Sequence, residues 1–461
     1  MDRAKVRLAI VGAGPGGYVA AIRAAQRGAE VALIEKDRVG GVCLNRGCIP
    51  TKTLATSAEL YSRMRRATEF GLVAGAVRPD MAGIIARKNA VVKRLVGGIQ
   101  YLLAKNHVQL IQGEARFIGP RELAVARVEG ELRLEAERII IAAGTEPMVP
   151  SAFGHDGRTV MTSDEALDLE EIPPRLAIVG GGVIGCEFAS IYAALGAEVT
   201  VVEMLPGLLP SLDPELGRAL GGVFRKRGIK VLVGQSVEEI RRQADGVHLR
   251  LPSGEIAVDR VLVAIGRRTA ADRLDLDRAG LRTDQRGRIP VGRGLETTVP
   301  GIYAIGDIND MPYDLAHAAS HQALAVVESL YGPGQTYDDA AVPNCVFTDP
   351  EVASVGLTAE EATKRGMEIR TGRFPYLANG KALAMGESEG WVKIVAEAES
   401  GRILGVHIIG AHASDLAAEA TVAVRNELTA EDLAETIHAH PTLAETMMEA
   451  ALAVRGLAIH V

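Results

Sequence analysis

Cysteine is scarce in this chain of 461 residues, which has only Cys43, Cys48, Cys186 and Cys345. So few cysteines exclude the disulfide-rich scaffold of a small secreted protein. No apolar run approaches the roughly 20 residues that a membrane-spanning helix needs. The first residues also lack the apolar length and the cleavage pattern of a secretory signal. We therefore expect a cytoplasmic protein with no membrane partner.

A strong excess of charge of either sign is missing as well. The formal net charge is −7, and the basic runs at residues 63–66 and 225–227 are short. This charge balance gives no reason to expect nucleic acid as a partner. Hydrophobic residues make up 48% of the chain and aromatic residues only 4%, as in an ordinary globular protein. The length suggests about three domains of roughly 150 residues each.

A glycine-rich turn near the start of the chain has the pattern of a dinucleotide-binding fold. The aliphatic residues 8–11 lead into Gly12, Gly14 and Gly17, and the strand pattern that follows the next helix ends at Glu35. The first glycine permits a tight turn, the second lets the backbone approach a pyrophosphate, and the third allows close helix–strand packing. The pyrophosphate would lie at the helix N terminus, and Glu35 would accept hydrogen bonds from a ribose.

The same pattern recurs at Gly180, Gly182 and Gly185, and the following strand ends at Glu203. The acid follows the first glycine by 23 residues in both copies. One such pattern can be only a turn, whereas two complete copies indicate two dinucleotide sites. Glu203 would repel a 2′-phosphate, and no Arg or Lys follows it before Arg218. The second site is therefore predicted to bind NAD rather than NADP.

Cys43 and Cys48 lie shortly after the first copy, within residues 40–52 (GGVCLNRGCIPTK). A disulfide that closes so short a loop removes only roughly 2 kcal/mol of chain entropy. A chain of this length can bury a sizeable core without that contribution. We therefore interpret the pair as a dithiol that opens and closes during turnover. Electrons that pass between a dithiol and a nicotinamide need a two-electron carrier, and FAD at the first site fits that role.

Three motifs resemble those of the flavoprotein disulfide reductases, and above all the branch that oxidises dihydrolipoamide. Residues 40–52 resemble the redox box of this family, residues 438–445 (HAHPTLAE) its C-terminal active-site motif, and residues 344–356 the opening of its interface domain. The resemblance implies an α/β fold with two Rossmann-like dinucleotide-binding domains, one for FAD and one for NAD. It also implies a C-terminal α+β interface domain that forms a homodimer.

The resemblance implies domain boundaries and cofactor positions too. The four regions are an FAD-binding domain at 1–149, an NAD-binding domain at 150–273, a central domain at 274–343 and an interface domain at 344–461. The residues implied to hold FAD are Gly12, Gly14, Gly17, Glu35, Lys52, Gly144, Asp307 and Ala316. Those implied to hold NAD are Gly180, Gly182, Gly185, Glu187, Glu203 and Gly266. Lys52 and Glu187 would pair beside the flavin and the nicotinamide, and no metal site is expected.

The implied catalytic residues agree with elementary chemistry. Cys43 would be the interchange thiol and Cys48 the thiolate against the flavin, favoured by the dipole of the helix that begins near it. His440 would be the acid/base, contributed by the partner subunit, because histidine is suited to proton transfer near neutral pH. Pro441 is predicted to begin the final helix. Glu445, in its first turn or so, would then reach back to orient His440.

Four positions depart from the family pattern without removing a group that the mechanism requires. Arg46 stands between the cysteines where an apolar residue is expected, and Ala143 lacks a hydroxyl near the domain crossover. Residues 267–270 (RRTA) lack a Pro-Asn ending, and Ala444 replaces a serine. Arg46 could matter for the redox potential, because a shift of about 30 mV needs only ~1.4 kcal/mol for two electrons.

The implied reaction is the NAD⁺-linked oxidation of dihydrolipoyl groups on lipoyl-bearing proteins. The enzyme would serve the acyltransferase core of a 2-oxo acid dehydrogenase complex or a glycine cleavage system. A reductase of another disulfide, such as glutathione, is the alternative, and Glu203 argues against it. Mercuric reductase is disfavoured because residues 456–461 contain no cysteine pair. A catalytically idle subunit is disfavoured because every implied catalytic residue is present. The other two cysteines, Cys186 and Cys345, are predicted to be buried side chains.

Overall fold

The computed structural model describes residues 2–461, which form two compact units. The first unit contains the described residues through Thr53, together with Ile85–Met148 and Gly266–Asp339. The second contains Leu54–Ile84, Val149–Ile265 and Ala340–Val461.

Strands and helices alternate around each glycine-rich turn, whereas the strands of residues 109–147 and those of residues 230–269 follow one another without an intervening α-helix. The strands are β1 Asp2–Val11, β2 Val31–Glu35, β3 Gln109–Gln112, β4 Glu114–Gly119, β5 Glu122–Arg127, β6 Gly130–Ile141, β7 Thr145–Pro147, β8 Val160–Met161, β9 Arg175–Val179, β10 Glu198–Glu203, β11 Lys230–Val233, β12 Glu239–Gln243, β13 Gly246–Leu251, β14 Gly254–Val258, β15 Arg260–Val263, β16 Arg267–Thr269, β17 Ile302–Ala304, β18 Asn344–Val346, β19 Glu351–Gly356, β20 Ile369–Pro375, β21 Trp391–Glu397 and β22 Ile403–Gly410. The helices are α1 Pro15–Gln26, α2 Gly41–Arg46, α3 Cys48–Arg65, α4 Met81–Lys105, α5 Ser163–Ala166, α6 Val183–Leu195, α7 Pro214–Lys226, α8 Ala316–Tyr331, α9 Ala359–Lys364, α10 Gly380–Met385, α11 Ala413–Arg425, α12 Ala430–Glu435 and α13 Glu445–Val454. None of these described helices is long and apolar enough to cross a membrane.

The first unit is built on a sheet with the strand order β3-β2-β1-β6-β5-β4, and β17 also pairs with β6. Strands β1, β2, β3, β6 and β17 run parallel, with Leu8 opposite Val31 in the register of β1 and β2. Leu8 and Ile10 are fully buried among the residues of α1 and α8, and the alternate residue Ala9 is buried on the other face of the sheet. Burial on both faces explains the continuous aliphatic run of β1.

The second unit contains a similar sheet, with the strand order β11-β10-β9-β15-β8 and all neighbours parallel. An antiparallel sheet of β12, β13 and β14 follows from the hairpins at residues 239–258. The C-terminal part of this unit is an antiparallel sheet with the order β18-β19-β22-β21-β20. Helices α11 and α13 pack on that sheet over a core that includes Ile394, Ile408 and Met447. The predicted fold, with two Rossmann-like sheets and a C-terminal α+β part, is confirmed.

Candidate active site

The first glycine-rich turn joins β1 to α1. Gly12 has a φ of +100°, and a Cβ on it would lie 2.4 Å from the carbonyl oxygen of Ala142. A Cβ on Gly17 would lie 1.8 Å from the carbonyl oxygen of Gly12, so both glycines are required by packing within the protein. A Cβ on Gly14 would come no closer than 4.0 Å to Gly41 Cα. Gly14 therefore leaves room for a pyrophosphate at the beginning of α1, where backbone N–H groups favour an anion.

The buried carboxylate of Glu35 holds this turn. Its exposed fraction is 7%, and its Oε2 accepts a hydrogen bond of 2.7 Å from the backbone N–H of Ala13. The other oxygen, Oε1, accepts from the N–H of Asp37 at 2.8 Å. A carboxylate has about four lone-pair positions, so both oxygens can still accept from the hydroxyls of a ribose.

The second turn, between β9 and α6, repeats this geometry. Gly180 has a φ of +111°, and a Cβ on it would lie 2.3 Å from a carbonyl oxygen that follows β15. A Cβ on Gly185 would lie 1.9 Å from the carbonyl oxygen of Gly180. Gly182 stands at the N-cap of α6. Glu203, 8% exposed, accepts a 2.6 Å hydrogen bond from the N–H of Gly181. Both turns thus have the donors and the space that a dinucleotide requires.

Both cysteines of the dithiol lie on closely spaced helices that glycines separate. Gly40 precedes α2, and Gly47 stands between α2 and α3. Cys43 is on α2 and Cys48 is the first residue of α3, and both side chains are half-buried. The hydrogen bond with Cys48 and burial raise the pKa of Cys43 far above its usual value, while the charge of Lys52 acts in the opposite direction. Cys48 begins the 18-residue helix α3, and a helix N terminus stabilises a thiolate.

Asp307 belongs to the same unit as the dithiol and is among the charges that act on Cys43. Burial raises the pKa of Asp307, and Thr145 Oγ1 donates a 3.0 Å hydrogen bond to its carboxylate. Arg267 Nε donates to the same hydroxyl at 2.8 Å. Thr145 thus supplies a hydroxyl at the crossover, although Ala143 has none. Thr145 and Arg267 were missed as candidates, and their only sequence signal is that each follows a predicted cofactor glycine.

The other predicted cofactor positions lie at turns or helix ends. Gly144 and Gly266 have φ values of +67° and +137°, where an L residue would be strained. Ala316 is the first residue of α8. Arg46, the unexpected cation between the two cysteines, forms an ion pair with Asp37.

Glu187 lies on α6, in the first turns after the second glycine motif. It could have been an exposed helix acid, but its exposed fraction is only 3%, and its Oε1 accepts a 2.9 Å hydrogen bond from the N–H of Phe347. Cys186 beside it is fully buried, as predicted. The prediction that Cys345 is buried was wrong. Cys345 is half-buried because β18 is an edge strand of the C-terminal sheet.

His440 and Glu445 form a pair in the second unit. His440 Nδ1 lies 2.8 Å from Glu445 Oε1, and Glu445 Oε2 accepts a 2.9 Å hydrogen bond from the N–H of Thr442. The imidazole is exposed, with 79% of its side-chain surface accessible. The predicted helix start at Pro441 was wrong, because α13 begins at Glu445. Residues 441–444 form a loop instead. Glu445, as the first residue of the helix, reaches back over this loop to the N–H of Thr442 and to His440.

Comparison with known proteins agrees with this geometry. Residues 6–323 match the family described as pyridine nucleotide-disulphide oxidoreductase, and residues 342–451 match the dimerisation domain of that family. The dihydrolipoyl dehydrogenase of Thermus scotoductus is 45% identical, over 98% of this chain and 98% of the relative. That of Chlamydia muridarum is 43% identical, over 98% and 97% respectively.

Solved structures show the same fold. LpdA from Mycobacterium tuberculosis aligns with a TM-score of 0.90 at 29% identity, covering 98% of this chain and 99% of that one. The HOCl-induced flavoprotein disulfide reductase RclA from Escherichia coli aligns with a TM-score of 0.87 at 30% identity, covering 96% and 99%.

Two dinucleotide folds and a dithiol beside one of them define an oxidoreductase that couples a thiol pair to a nucleotide cofactor. The chain belongs to the pyridine nucleotide-disulphide oxidoreductase family. It is an FAD- and NAD-dependent enzyme of that family. Its dimerisation domain supports a homodimer.

Proposed function

We propose that this protein oxidises protein-bound dihydrolipoyl groups to lipoyl groups with NAD⁺. The observation that carries the proposal is the dithiol segment, in which Cys43 on α2 is hydrogen-bonded to Cys48 at the start of α3. The similarity to dihydrolipoyl dehydrogenases over nearly their full length supports the choice of dithiol. The overall reaction converts the dihydrolipoyl dithiol and NAD⁺ into the lipoyl disulfide, NADH and one proton.

The reaction begins with the Cys43–Cys48 pair as a disulfide. One sulfur of the dihydrolipoyl group attacks the sulfur of Cys43, and Cys48 leaves as the thiolate that the N terminus of α3 stabilises. The second sulfur of the substrate then attacks the first, so that the lipoyl disulfide forms and Cys43 is released. FAD bound at the first glycine-rich turn would supply the two-electron carrier between the resulting Cys43–Cys48 dithiol and NAD⁺.

His440 is the proposed acid/base of the exchange. Glu445 accepts from Nδ1 of the imidazole, so the neutral ring presents the lone pair of Nε2 to the substrate. Nε2 takes the proton from each attacking thiol and can return one to the sulfur of Cys43. In this proposal His440 acts across the homodimer interface, on the dithiol of the partner subunit.

The remaining site residues hold the cofactors and set the charge around the dithiol. Glu35 and Asp307 would bond FAD at its ribose and its ribityl chain, and Glu203 would bond the ribose of NAD. Lys52 places a positive charge near the sulfurs, which favours the thiolate. Lys52 and Glu187 are proposed to pair beside the flavin and the nicotinamide.

The proposed partners follow from the substrate. A lipoyl group is carried by another protein, so the enzyme would serve the acyltransferase core of a 2-oxo acid dehydrogenase complex or a glycine cleavage system, in the cytoplasm. The proposed regions for FAD, NAD, the central part and the interface remain 1–149, 150–273, 274–343 and 344–461.

An anaerobic titration of the purified flavoprotein with NADH tests the dithiol relay. We expect a long-wavelength absorbance band, from a thiolate against oxidised flavin, after two electrons have been added. The band should be absent in Cys48→Ser and unchanged in Cys345→Ser, a cysteine outside the site. Direct bleaching of the flavin in the unsubstituted protein would contradict the proposal.

Steady-state assays then identify the substrate. We expect NAD⁺-dependent oxidation of dihydrolipoamide and of a dihydrolipoyl protein domain, with NADP⁺ a poor substitute because Glu203 faces its 2′-phosphate. Efficient NADPH-dependent reduction of glutathione disulfide, without activity on lipoamide, would assign the protein to the alternative reaction.

A further inference from the structure

The segment between α12 and α13 carries His440 and is held by side-chain hydrogen bonds. We call residues 436–444 the base loop. Thr442 Oγ1 donates to the carbonyl of Ala439 at 2.6 Å, and Asn379 Nδ2 donates to the carbonyl of Thr442 at 3.0 Å. Ile437 at the start of the same loop is 96% exposed, whereas Leu443 near its end is only 9% exposed and belongs to the core beneath the C-terminal sheet. Apolar packing therefore holds the end of the base loop, whereas its start depends on polar contacts.

His438 is the side chain at the start of this loop that points inward. Only 5% of its side-chain surface is exposed, while 31% of that of its partner Glu419, on α11, is accessible. His438 Nδ1 lies 2.8 Å from the carbonyl oxygen of Thr436, and Nε2 lies 2.7 Å from Glu419 Oε1. A carbonyl and a carboxylate can only accept hydrogen bonds, so both ring nitrogens must donate. His438 is satisfied in this position only as the doubly protonated imidazolium.

The charge of His438 reaches the carboxylate that orients His440. Burial acts to raise the pKa of Glu445, but the hydrogen bonds from Thr442 and His440 and the charges of His440 and His438 lower it overall. Among the other charged groups close to the base loop, Asp415 of α11 pairs with His412, and Lys381 of α10 lines the same cavity as Thr442 and Ala444. Asp432 of α12 likewise accepts from the backbone and the hydroxyl of Thr429 at its own helix cap.

We propose that His438 is a positioning residue of the reaction, which acts through Glu445 as a cation anchored by Glu419. The inference rests on the proposed role of His440 as the base. The ring of His438 ties the start of the base loop to α11. Its charge adds to the hydrogen bonds from Thr442 and His440 in stabilising the carboxylate of Glu445. That carboxylate keeps the proton on Nδ1 of His440, so that Nε2 remains free to accept the proton of a thiol.

Two substitutions separate the charge from the hydrogen bonds. His438→Gln removes the cation and leaves Glu419 without its partner. Glu419→Gln preserves both contacts, because the amide of Gln can donate to Nε2 of a neutral imidazole while Nδ1 still donates to Thr436. A purely structural role predicts that Glu419→Gln behaves like the unsubstituted protein. A role for the imidazolium predicts that it does not.

The chain offers a matched control in His248. Its Nδ1 lies 2.8 Å from Glu255 and its Nε2 lies 3.0 Å from Asp245, so it is also an imidazole between two acceptors. It lies on β13, in the small antiparallel sheet, outside the C-terminal segment that carries the base loop. His248→Gln should therefore remove the same kind of group without any effect on the reaction.

The measurement is the pH dependence of kcat for dihydrolipoamide oxidation by the intact flavoprotein. For His438→Gln we expect kcat to fall about tenfold, the size of a coupling within one hydrogen-bond network, and the acid limb to move to higher pH. The loss of a nearby cation favours the protonated, inactive imidazole of His440. Glu419→Gln should move the limb in the same direction by less, and NADH-dependent reduction of ferricyanide, which needs no thiol exchange, should be unchanged.

The outcomes separate this inference from the proposed function. An unchanged profile in both variants, together with an inactive His440→Gln, would overturn the role of His438 and leave the proposed function standing. A change in His438→Gln alone would show that packing rather than charge matters, which also contradicts the inference. An active His440→Gln would instead contradict the proposed function itself.

Discussion

The two glycine-rich turns make the same set of hydrogen bonds, although they belong to different units of the molecule. Gly12 donates to the carbonyl of Ile34, and Gly180 donates to that of Val202, both at 2.8 Å. The acid at the end of the second strand binds the N–H that follows the first glycine in each copy, at 2.7 Å for Glu35 and 2.6 Å for Glu203. Each acid also accepts from the N–H two residues further on.

The copies continue to match for a few more residues and then diverge. The carbonyl of Ala13 accepts from the N–H of Gly40, and that of Gly181 from the N–H of Leu209, both at 2.8 Å. Gly40 and Leu209 both have positive φ values, +95° and +51°. After Gly40 the first copy forms α2 and α3 with the dithiol, whereas after Leu209 the second copy reaches Asp213, the N-cap of α7.

In the second copy, the N-terminal end of α7 is anchored to β21 by ion pairs and carries no dithiol. Lys393 of β21 donates to Asp213 at 2.6 Å and to Glu215 at 2.8 Å, and Lys393 and Asp213 are both almost fully buried. One nucleotide-binding frame thus supports two uses of the segment that follows it. The frame itself depends on glycines and an acid, and the difference in function lies in about a dozen residues after the acid.

The largest effect should come from the segment that only the first copy has. Cys48→Ser should lower dihydrolipoamide oxidation by about 10³-fold or more, because removing one member of a unit that reacts together abolishes its function. Cys345→Ser, matched in chemistry but outside the site, should retain the activity. Activity of Cys48→Ser near that of the unsubstituted enzyme would mean that the dithiol is not what distinguishes the copies.

The anchor of the second copy should have the next largest effect, on stability instead of chemistry. Asp213→Asn removes one partner of a buried ion pair, which costs about 3–5 kcal/mol of unfolding free energy. Urea unfolding of the flavoprotein measures the loss, and Glu198→Gln, whose carboxylate pairs with Lys230 at the surface, is the control. An equal loss in the two variants would contradict the anchoring role of Asp213.

The same ion pair predicts a pH dependence. Burial acts to raise the pKa of Asp213, but the hydrogen bond from Lys393, the charge of His407 and the N–H of Glu215 lower it overall. A carboxyl with a lowered folded-state pKa stabilises the fold above its unfolded value, and this stabilisation is lost as pH falls through the folded one. The unfolding free energy should thus fall below about pH 4 more steeply in the unsubstituted protein than in Asp213→Asn.

The sequence predicts the frame better than it predicts the segments between its elements. Gly12, Glu35 and the strand of β1 follow from spacing and aliphatic runs, because local sterics and burial on both faces dictate them. The start of α13 does not follow, since Pro441 is a good first helix residue, whereas the helix begins at Glu445, whose side chain accepts a hydrogen bond from Thr442 in the preceding loop. Long-range pairs such as Lys393 with Asp213 leave no local signal.

Replacing Glu35 or Glu203 by glutamine should have an intermediate effect on cofactor binding. The cofactor affected should differ between the two copies. Glu35→Gln and Glu203→Gln each lose the charge from two hydrogen bonds, and such bonds are worth about 1.5–3 kcal/mol. We expect Glu35→Gln to weaken FAD retention and Glu203→Gln to raise the KM for NAD⁺, each by about 10- to 100-fold. Flavin content and steady-state kinetics measure the two effects separately.

The opposite assignment of these effects would exchange the cofactors of the two turns. Loss of flavin in Glu203→Gln, with FAD intact in Glu35→Gln, would place FAD at the second copy. The dithiol would then lie beside the NAD site, and the order of electron transfer in the proposed function would have to be revised.

The smallest effect on the fold should come from the middle glycines. A Cβ on Gly14 would lie 4.0 Å from Gly41 Cα, and the space around a Cβ on Gly182 is free of described atoms to at least that distance. Gly14→Ala and Gly182→Ala should therefore change the unfolding free energy of the cofactor-free protein by only about 0.5 kcal/mol. The methyl group would nevertheless occupy the approach of the pyrophosphate, so that Gly14→Ala loses FAD and Gly182→Ala loses NAD. A fold destabilised by several kcal/mol in either variant would show that these glycines serve packing, as Gly17 and Gly185 do, rather than ligand approach.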